Sequence, residues 1–349
     1  MRSILLIIAL LLSGCSAEGP EAQLKDYAKR VSNAIDYDFD VQFNHTLPAY
    51  PPKRLQQLTV TEQREGLIDV LDLRPCGLLE LIGERNSSLG VMAPSSQRLI
   101  YELSFLPRLR HCIHELDRTE ANDDTENLLQ RLRQIEETKH RNLPSVISNA
   151  IFSADEISAQ FALNAAPLTT ETLAQSSNLL PAFERFTHLA NISQQAQWPE
   201  PPWTHDLETS YASFYQSDFG AGWLKSLSLL TQTLDQTANA IHARLDQRPI
   251  CFNRTPTPQA AIIRTVFQRY YAQELQPWMS AVHRNGTQWR QQWLTLLEQL
   301  PTTPAVEQYF MALFGPQNGS LWQAYTEART RHTDAWQRLL GDCGMMPGN

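Results

Sequence analysis

Residues 224–245 read LKSLSLLTQTLDQTANAIHARL, and their apolar side chains return at the spacing of an α-helix. The apolar set comprises Leu224, Leu227, Leu230, Leu234, Ala238, Ile241 and Leu245. Intervals of three or four residues place the whole set on one face of a helix, and such a stripe is typical of a helix that packs into a core. The segment therefore predicts a long amphipathic helix in the C-terminal half of the chain.

The same helical period recurs along most of the sequence. It predicts further helices over about residues 21–35, 262–278 and 321–340. Thr257-Pro258 and Thr303-Pro304 each place a capping hydroxyl before a proline at the first helical position, which is a typical start of a helix. These patterns predict an all-α protein.

Residues 36–43 (DYDFDVQF) break the helical pattern, because Tyr37, Phe39, Val41 and Phe43 alternate strictly with polar residues. This period of two is that of a β-strand. A strand without partners is unstable, however, so we favour an extended connector whose apolar side lies on the helices.

The segment WPEPPW at residues 198–203 is the predicted boundary between two parts of the chain. Its three prolines favour a stiff, extended crossing, and all eight tryptophans lie at or after Trp198. We expect an irregular multi-helix bundle in two packed lobes, over residues 21–197 and 204–349.

The first residues have the order of a bacterial lipoprotein signal. Arg2 is followed by an apolar run over residues 4–12 and then by LSGC at residues 12–15. The apolar run is too short to span a bilayer and suits a signal peptide. The order predicts removal of residues 1–14, lipidation of Cys15 and a short tether over residues 15–20. A secretory signal with a chance cysteine is the alternative.

The predicted lipid on Cys15 makes the membrane the first expected partner and places the chain in the cell envelope. Ser16 follows the modified cysteine, where an aspartate would favour retention in the inner membrane. Its absence favours the outer membrane, with the protein facing the periplasm.

Four cysteines remain after lipidation: Cys76, Cys112, Cys251 and Cys343. An even number in an oxidising compartment indicates two disulfides, and three pairings are possible. We favour Cys76–Cys112 and Cys251–Cys343, because each bridge then closes one half of the chain.

The composition excludes several classes of function. The formal net charge is -8 and no block of basic residues occurs, which argues against nucleic acid as a partner. The nearest approach to a metal motif is His111-Cys112-x-His114, but its cysteine is better explained by a disulfide. No catalytic, cofactor-binding or metal-binding residue is assigned, which favours a non-enzymatic protein and leaves an enzyme as the alternative.

A polar group within an apolar stretch is the one speculative site. Two antiparallel helices joined near residues 90–94 would bring together Glu84, Arg85, Tyr101 and Glu102. The group could perform acid–base chemistry or bind a polar ligand. It could also be a network of salt bridges and caps that fixes the helical hairpin, and this structural role is favoured.

Several of these features occur together, in the same order, in a known family. They are the lipobox, Asp26-Tyr27, Cys76, Glu84-Arg85-Asn86-Ser87 with Leu89-Gly90, Tyr101-Glu102, Cys112 and Asp342-Cys343-Gly344. The sequence resembles the proteobacterial lipoprotein family known as DUF3080, over nearly the whole mature chain. The resemblance implies a lipoprotein of this length and supplies no catalytic residues.

Two functions follow from the sequence. The favoured one is a non-enzymatic envelope scaffold or adaptor that binds another envelope component. The alternative is an enzyme or a protein that binds a small molecule or glycan around Glu84, Arg85, Tyr101 and Glu102. A polar cleft at these residues would favour the alternative, and a flat apolar patch would favour the adaptor. The oligomeric state is left open.

Overall fold

The structure is a computed structural model that describes residues 19–61, 73–119 and 122–346 of the 349-residue chain. These ranges are all-α, as the sequence predicts, and hold no β-strand beyond an isolated bridge between Phe252 and Thr255. None of their helices has the length and apolar character needed to cross a membrane. The predicted signal peptide, Cys15 and Ser16 lie outside the described residues.

The longer helices, in chain order, are α1 (Pro20–Ile35), α2 (Leu79–Asn86), α3 (Ser95–Leu116), α4 (Asp123–Phe152), α5 (Leu180–Ile192), α6 (Glu208–Tyr215), α7 (Phe219–Gln247), α8 (Pro258–Val266), α9 (Gln276–Gln299), α10 (Pro304–Phe314) and α11 (Leu321–Asp342). A π-helix, Phe267–Leu275, joins α8 to α9 without a break. Shorter helical segments are Lys53–Leu55, Arg74–Cys76, Ser88–Val91, Asp155–Ala159, Thr170–Leu173, Ala174–Leu179 and Thr204–Asp206. The hydroxyls of Thr257 and Thr303 cap α8 and α10 as predicted.

Helix α7 contains the apolar stripe 224–245 and lies against α11. Arg331 of α11 pairs with Asp235 of α7, and Arg338 pairs with Asp246 at 2.8 Å. Since both pairs follow the same order along the two helices, α7 and α11 run in the same direction. The stripe of α7 is buried among α1, α9 and α11.

Helices α7 and α9 approach closely where the indole of Trp223 lies on Gly286. Trp223 is fully buried, and its Nε1 donates a hydrogen bond of 2.9 Å to the carbonyl oxygen of Val282. A Cβ atom at Gly286 would overlap the indole ring, so this crossing requires a glycine.

The alternating segment is an extended connector, as favoured from the sequence. Val41 is buried, while Tyr37, Phe39 and Phe43 pack against the main core. Two glutamines of α7 also hold the backbone of the connector. The Gln236 amide exchanges two hydrogen bonds of 3.0 Å with the backbone of Gln42, and the Gln232 amide exchanges two, of 2.5 Å and 2.9 Å, with the backbone of Asn44.

Both favoured disulfides, Cys76–Cys112 and Cys251–Cys343, are present. The first belongs to a small apolar cluster between α3 and α4, and the second to the main core. The main core takes residues from both sides of residues 198–203, and the lobe boundary there stays a prediction.

One histidine is buried completely in the main core. The hydroxyl of Tyr27 donates to His332 Nε2 at 2.7 Å and accepts a hydrogen bond from Trp336 Nε1 at 2.9 Å. The ring of Tyr271 lies 4.8 Å from that of His332, between centroids. Burial lowers the pKa of His332 to about 3, so the imidazole is neutral in the folded protein.

We expect Gly286→Ala to lower the free energy of unfolding by about 1–3 kcal/mol, because the added methyl group forces Trp223 from its position. The matched control is Gly83→Ala in α2, where a Cβ atom meets nothing within 4 Å. There alanine should stabilise the helix by roughly 0.5–1 kcal/mol. Urea unfolding of both variants measures the difference, and equal effects would contradict the close approach.

We expect His332 to make the protein less stable as the pH falls from 6.5 towards 3. The unfolded chain takes up a proton in this window and the folded chain does not, since the folded pKa is depressed from 6.5 to about 3. The free energy of unfolding should therefore fall by up to about 1.4 kcal/mol per pH unit. Urea unfolding of His332→Gln should lack this contribution, whereas the exposed control His205→Gln should keep it. Parallel pH profiles for the two variants would exclude it.

Candidate functional site

A cavity of about 730 Å³ lies between α2, α3, α4 and the extended residues 57–61. Its volume is within the range of about 300–1,000 Å³ that is usual for small-molecule sites. The cavity borders the small apolar cluster around the Cys76–Cys112 disulfide and, at Val146, the main core. We refer to it as the α2–α4 cavity.

Helix periodicity explains why the residues of α3 and α4 face the cavity together. On α3 the lining includes Tyr101 and Glu102 and, about one turn further on, Phe105. On α4 the lining residues follow one another at intervals of three or four, a spacing that places them on one face of the helix. The residues of α4 are Ile135, Lys139, Asn142, Val146 and Asn149.

An ion pair between α3 and α4 crosses the cavity wall. Lys139 Nζ lies 2.7 Å and 2.9 Å from the two carboxylate oxygens of Glu102, and each side chain is 16% exposed. The same ammonium group lies 4.8 Å from the ring centroid of Tyr101 and 4.6 Å from that of Phe105. Lys139 is thus neutralised by Glu102 and also covers one face of both rings.

Two further cations line the cavity, and both donate to backbone carbonyls. Arg85 donates to the carbonyl oxygen of Gly90 at 2.9 Å, and Arg98 donates to that of Val91 at 3.4 Å. Within the described part of the chain, neither guanidinium has a carboxylate in ion-pair distance. Arg85 and Arg98 are thus the cations of the described lining that Glu102 does not engage.

The hydroxyl of Tyr101 completes the polar side of the cavity. Burial, the largest cause, and the charge of Glu102 raise the pKa of Tyr101 above its usual range, while the charge of Arg85 opposes this shift. Tyr101 is consequently a neutral hydrogen-bond donor at physiological pH, close to the Arg85 guanidinium.

Asparagines of α4 hold the extended wall of the cavity. Asn149 accepts from the backbone N–H of Leu58 at 2.7 Å and donates to its carbonyl oxygen at 2.9 Å. Asn142 donates to the carbonyl oxygen of Thr61 at 2.8 Å. These bonds satisfy backbone groups that have no strand partner, which fixes residues 57–61 beside the cavity.

The structure brings three of the four speculative site residues together. Arg85, Tyr101 and Glu102 line the cavity, whereas Glu84 is exposed and outside the lining. Two contacts of the kind that a structural role requires also occur. Ser87 caps the short helix Ser88–Val91, and Arg85 of α2 donates to the carbonyl oxygen of Gly90.

The contribution of α4 was missed from the sequence. Lys139, Asn142 and Asn149 are ordinary polar residues of a long helix, and they share a face with Ile135 and Val146. Polar residues on an otherwise apolar face were the available signal. Which helix that face meets is a tertiary property that the spacing does not contain.

The histidines beside Cys112 are not grouped with further metal-binding side chains among the described residues. Cys112 is bonded to Cys76, His111 is exposed, and His114 Nδ1 lies 3.2 Å from Glu115 Oε1. In the three described ranges, no group of three or more His, Cys, Asp or Glu side chains has the geometry to hold a metal ion.

Comparison with known proteins identifies the family of the chain. Residues 24–347 match the model of a family described as protein of unknown function, DUF3080. No curated protein and no solved structure matches the chain.

We expect Glu102 and Lys139 to be energetically coupled. Glu102→Gln and Lys139→Met should each lower the free energy of unfolding by about 1–3 kcal/mol, because each leaves a half-buried partner unsatisfied. The double variant should lose less than the sum, with a coupling energy of about 1 kcal/mol. The exposed pair Glu137–Arg141 on α4 is the control and should couple by less than about 0.5 kcal/mol. Urea unfolding of both cycles tests this, and equal couplings would contradict it.

Proposed function

The chain belongs to the DUF3080 family, and because this family has no assigned activity, we propose a function from geometry: a lipoprotein that binds a small molecule in the α2–α4 cavity. The observation that carries the proposal is the cavity itself, whose walls combine apolar side chains with the cations Arg85 and Arg98, which pair with no carboxylate among the described residues. A pocket with apolar walls and a few convergent polar groups is typical of a ligand site.

The groups in the cavity support binding rather than catalysis. The Lys139 ammonium is engaged by Glu102, and the described lining contains no histidine or cysteine. The histidine or cysteine that many covalent mechanisms use is therefore not part of that described lining.

We place the protein in the cell envelope, with residues 1–14 removed, Cys15 lipidated and the absence of Asp at position 16 directing it to the outer membrane. Two disulfides fit an oxidising compartment such as the periplasm. Helix α1 begins at Pro20, so a tether over residues 15–20 would keep the folded part within roughly 18 Å of its membrane.

An adaptor that binds another envelope component is the second candidate. The turn between α2 and α3 exposes Leu89 and Met92, at 86% and 85%. Apolar side chains exposed this far at a helical tip support a contact with a partner, although they form a smaller surface than most interfaces bury.

A cavity-filling variant tests the proposed function. Val146 lines the cavity, and Val146→Trp should fill part of it and abolish ligand binding. The control Gln134→Trp adds the same side chain at an exposed position of α4 outside the lining. The lipidated proteins are purified from cells, extracted with organic solvent and compared by mass spectrometry.

We expect at least one compound to co-purify with wild type and Gln134→Trp and to fall at least tenfold with Val146→Trp. Thermal unfolding should show both variants folded. If all three proteins release the same compounds in the same amounts, the cavity is not a ligand site and the adaptor becomes the better proposal.

A further inference from the structure

We infer that the ligand of the α2–α4 cavity is an anionic amphiphile, with one carboxylate or phosphate head and a hydrocarbon body. The inference rests on the proposed function and names the class of molecule that this site would take. It follows from how charge, hydrogen-bonding groups and apolar surface are distributed over the lining.

The charge of the lining selects an anion. The described lining holds Arg85, Arg98 and Lys139 against the single carboxylate of Glu102, although the whole chain carries a net charge of -8. Because Lys139 and Glu102 neutralise each other, the surplus lies on the two arginines. Guanidinium groups bind carboxylates and phosphates through two parallel hydrogen bonds, which neutral heads cannot form.

The hydroxyl of Tyr101 is placed to assist the same head group. It lines the cavity near Arg85, and no hydrogen bond to another described residue engages it. Burial keeps the phenol protonated, so it donates to an anion rather than repelling it. Arg85, Arg98 and Tyr101 together form the proposed head-group site.

The remaining lining selects a hydrocarbon body. Phe105, Ile135 and Leu73 are buried apolar walls, and Ile82 and Val146 extend them. Ile82 and Val146 are half-buried, and removal of their remaining exposed surface from water on binding favours an apolar ligand.

A sugar fits this lining poorly. Glycan sites present open aromatic faces, but Lys139 covers one face of Tyr101 and of Phe105, and the two rings also pack against each other at 5.2 Å between centroids. The aromatic residues of this cavity therefore act as walls and not as stacking platforms.

Exposure sets the orientation of the ligand. Arg98 is exposed and Arg85 is half-buried, whereas Phe105 and Ile135 are buried. The acidic head would thus lie at the mouth of the cavity, where it remains partly hydrated, and the chain would point inwards. This arrangement avoids burying a charge in the apolar part.

The test compares ligands that differ only in the head group. The full chain with Cys15→Ala, which cannot carry the lipid, is titrated calorimetrically below micelle-forming concentrations. The probes are dodecanoate, dodecyl phosphate, dodecanol and dodecyltrimethylammonium. We expect dodecanoate or dodecyl phosphate to bind at least tenfold more tightly than dodecanol, and the cation to bind more weakly still. The stronger of the two anions identifies the head group.

Variants locate the head-group site. Arg98→Gln and Arg85→Gln should each weaken binding of the preferred anion about tenfold and leave dodecanol unchanged. The control is Arg108→Gln, on the same helix α3 but exposed and outside the lining. Because Arg85 also donates to the carbonyl oxygen of Gly90, Arg98→Gln alone tests the head-group site if the Arg85→Gln variant does not fold.

Chain length probes the apolar part. From eight to twelve carbons, each two-carbon extension of the preferred anion should tighten binding about tenfold, as burial of two methylene groups predicts. No dependence on length would overturn the hydrocarbon body.

The outcomes separate this inference from the proposed function. Equal binding of dodecanol and the anions, blocked by Val146→Trp, would overturn the anionic head while ligand binding stands. If no amphiphile binds but Val146→Trp removes another co-purified compound, the ligand class is wrong and the proposed function stands. If no amphiphile binds and Val146→Trp changes nothing, both fail.

Discussion

The packing of α7 against its neighbours is the constraint on which the fold depends. Its apolar stripe is buried, and burying each leucine contributes about 1.5–3 kcal/mol. Because α1, α9 and α11 all pack on this helix, the first and the last described helices are held together through it. The Trp223 indole on Gly286 sets how closely α9 approaches, and the ion pairs of Arg331 and Arg338 show that α11 runs parallel to α7.

The cavity lies beside the α3–α4 pair, whose residues divide between two apolar clusters. Leu103 and Leu143 belong to the main core, whereas Phe105 and Ile135 belong to the small cluster with Cys112 of the Cys76–Cys112 bridge. The helix α2 and the extended residues 57–61 form the other described walls of the cavity. The described lining brings the rings of Tyr101 and Phe105 together with the cations Arg85, Arg98 and Lys139.

Much of the fold could be predicted from local sequence. The period of apolar residues places α1, α7 and α11 within a few residues of their ends, and the period of two marks the connector at residues 37–43. Nothing local predicts the π-helix Phe267–Leu275, since the apolar positions there continue the spacing of an ordinary helix. The burial of His332 beside Tyr27 depends on two segments about 300 residues apart.

The site was predictable in part for the same reason. Arg85, Tyr101 and Glu102 are near in sequence and joined by a recognisable turn, so a hairpin could be inferred. Lys139 and Asn149 reach the cavity only because α4 packs on α3, which is decided by tertiary contacts.

Two glutamine amides of α7 fix the register of the extended connector. Gln236 and Gln232 grip residues 42 and 44, two positions apart, and the apolar side chains of the connector also repeat every second residue. A shift of one residue would turn the aromatic side to solvent and the aspartates to the core, whereas a shift of two preserves both patterns. We therefore expect insertions or deletions of an even number of residues in this segment to preserve the alternation, and those of an odd number to reverse it.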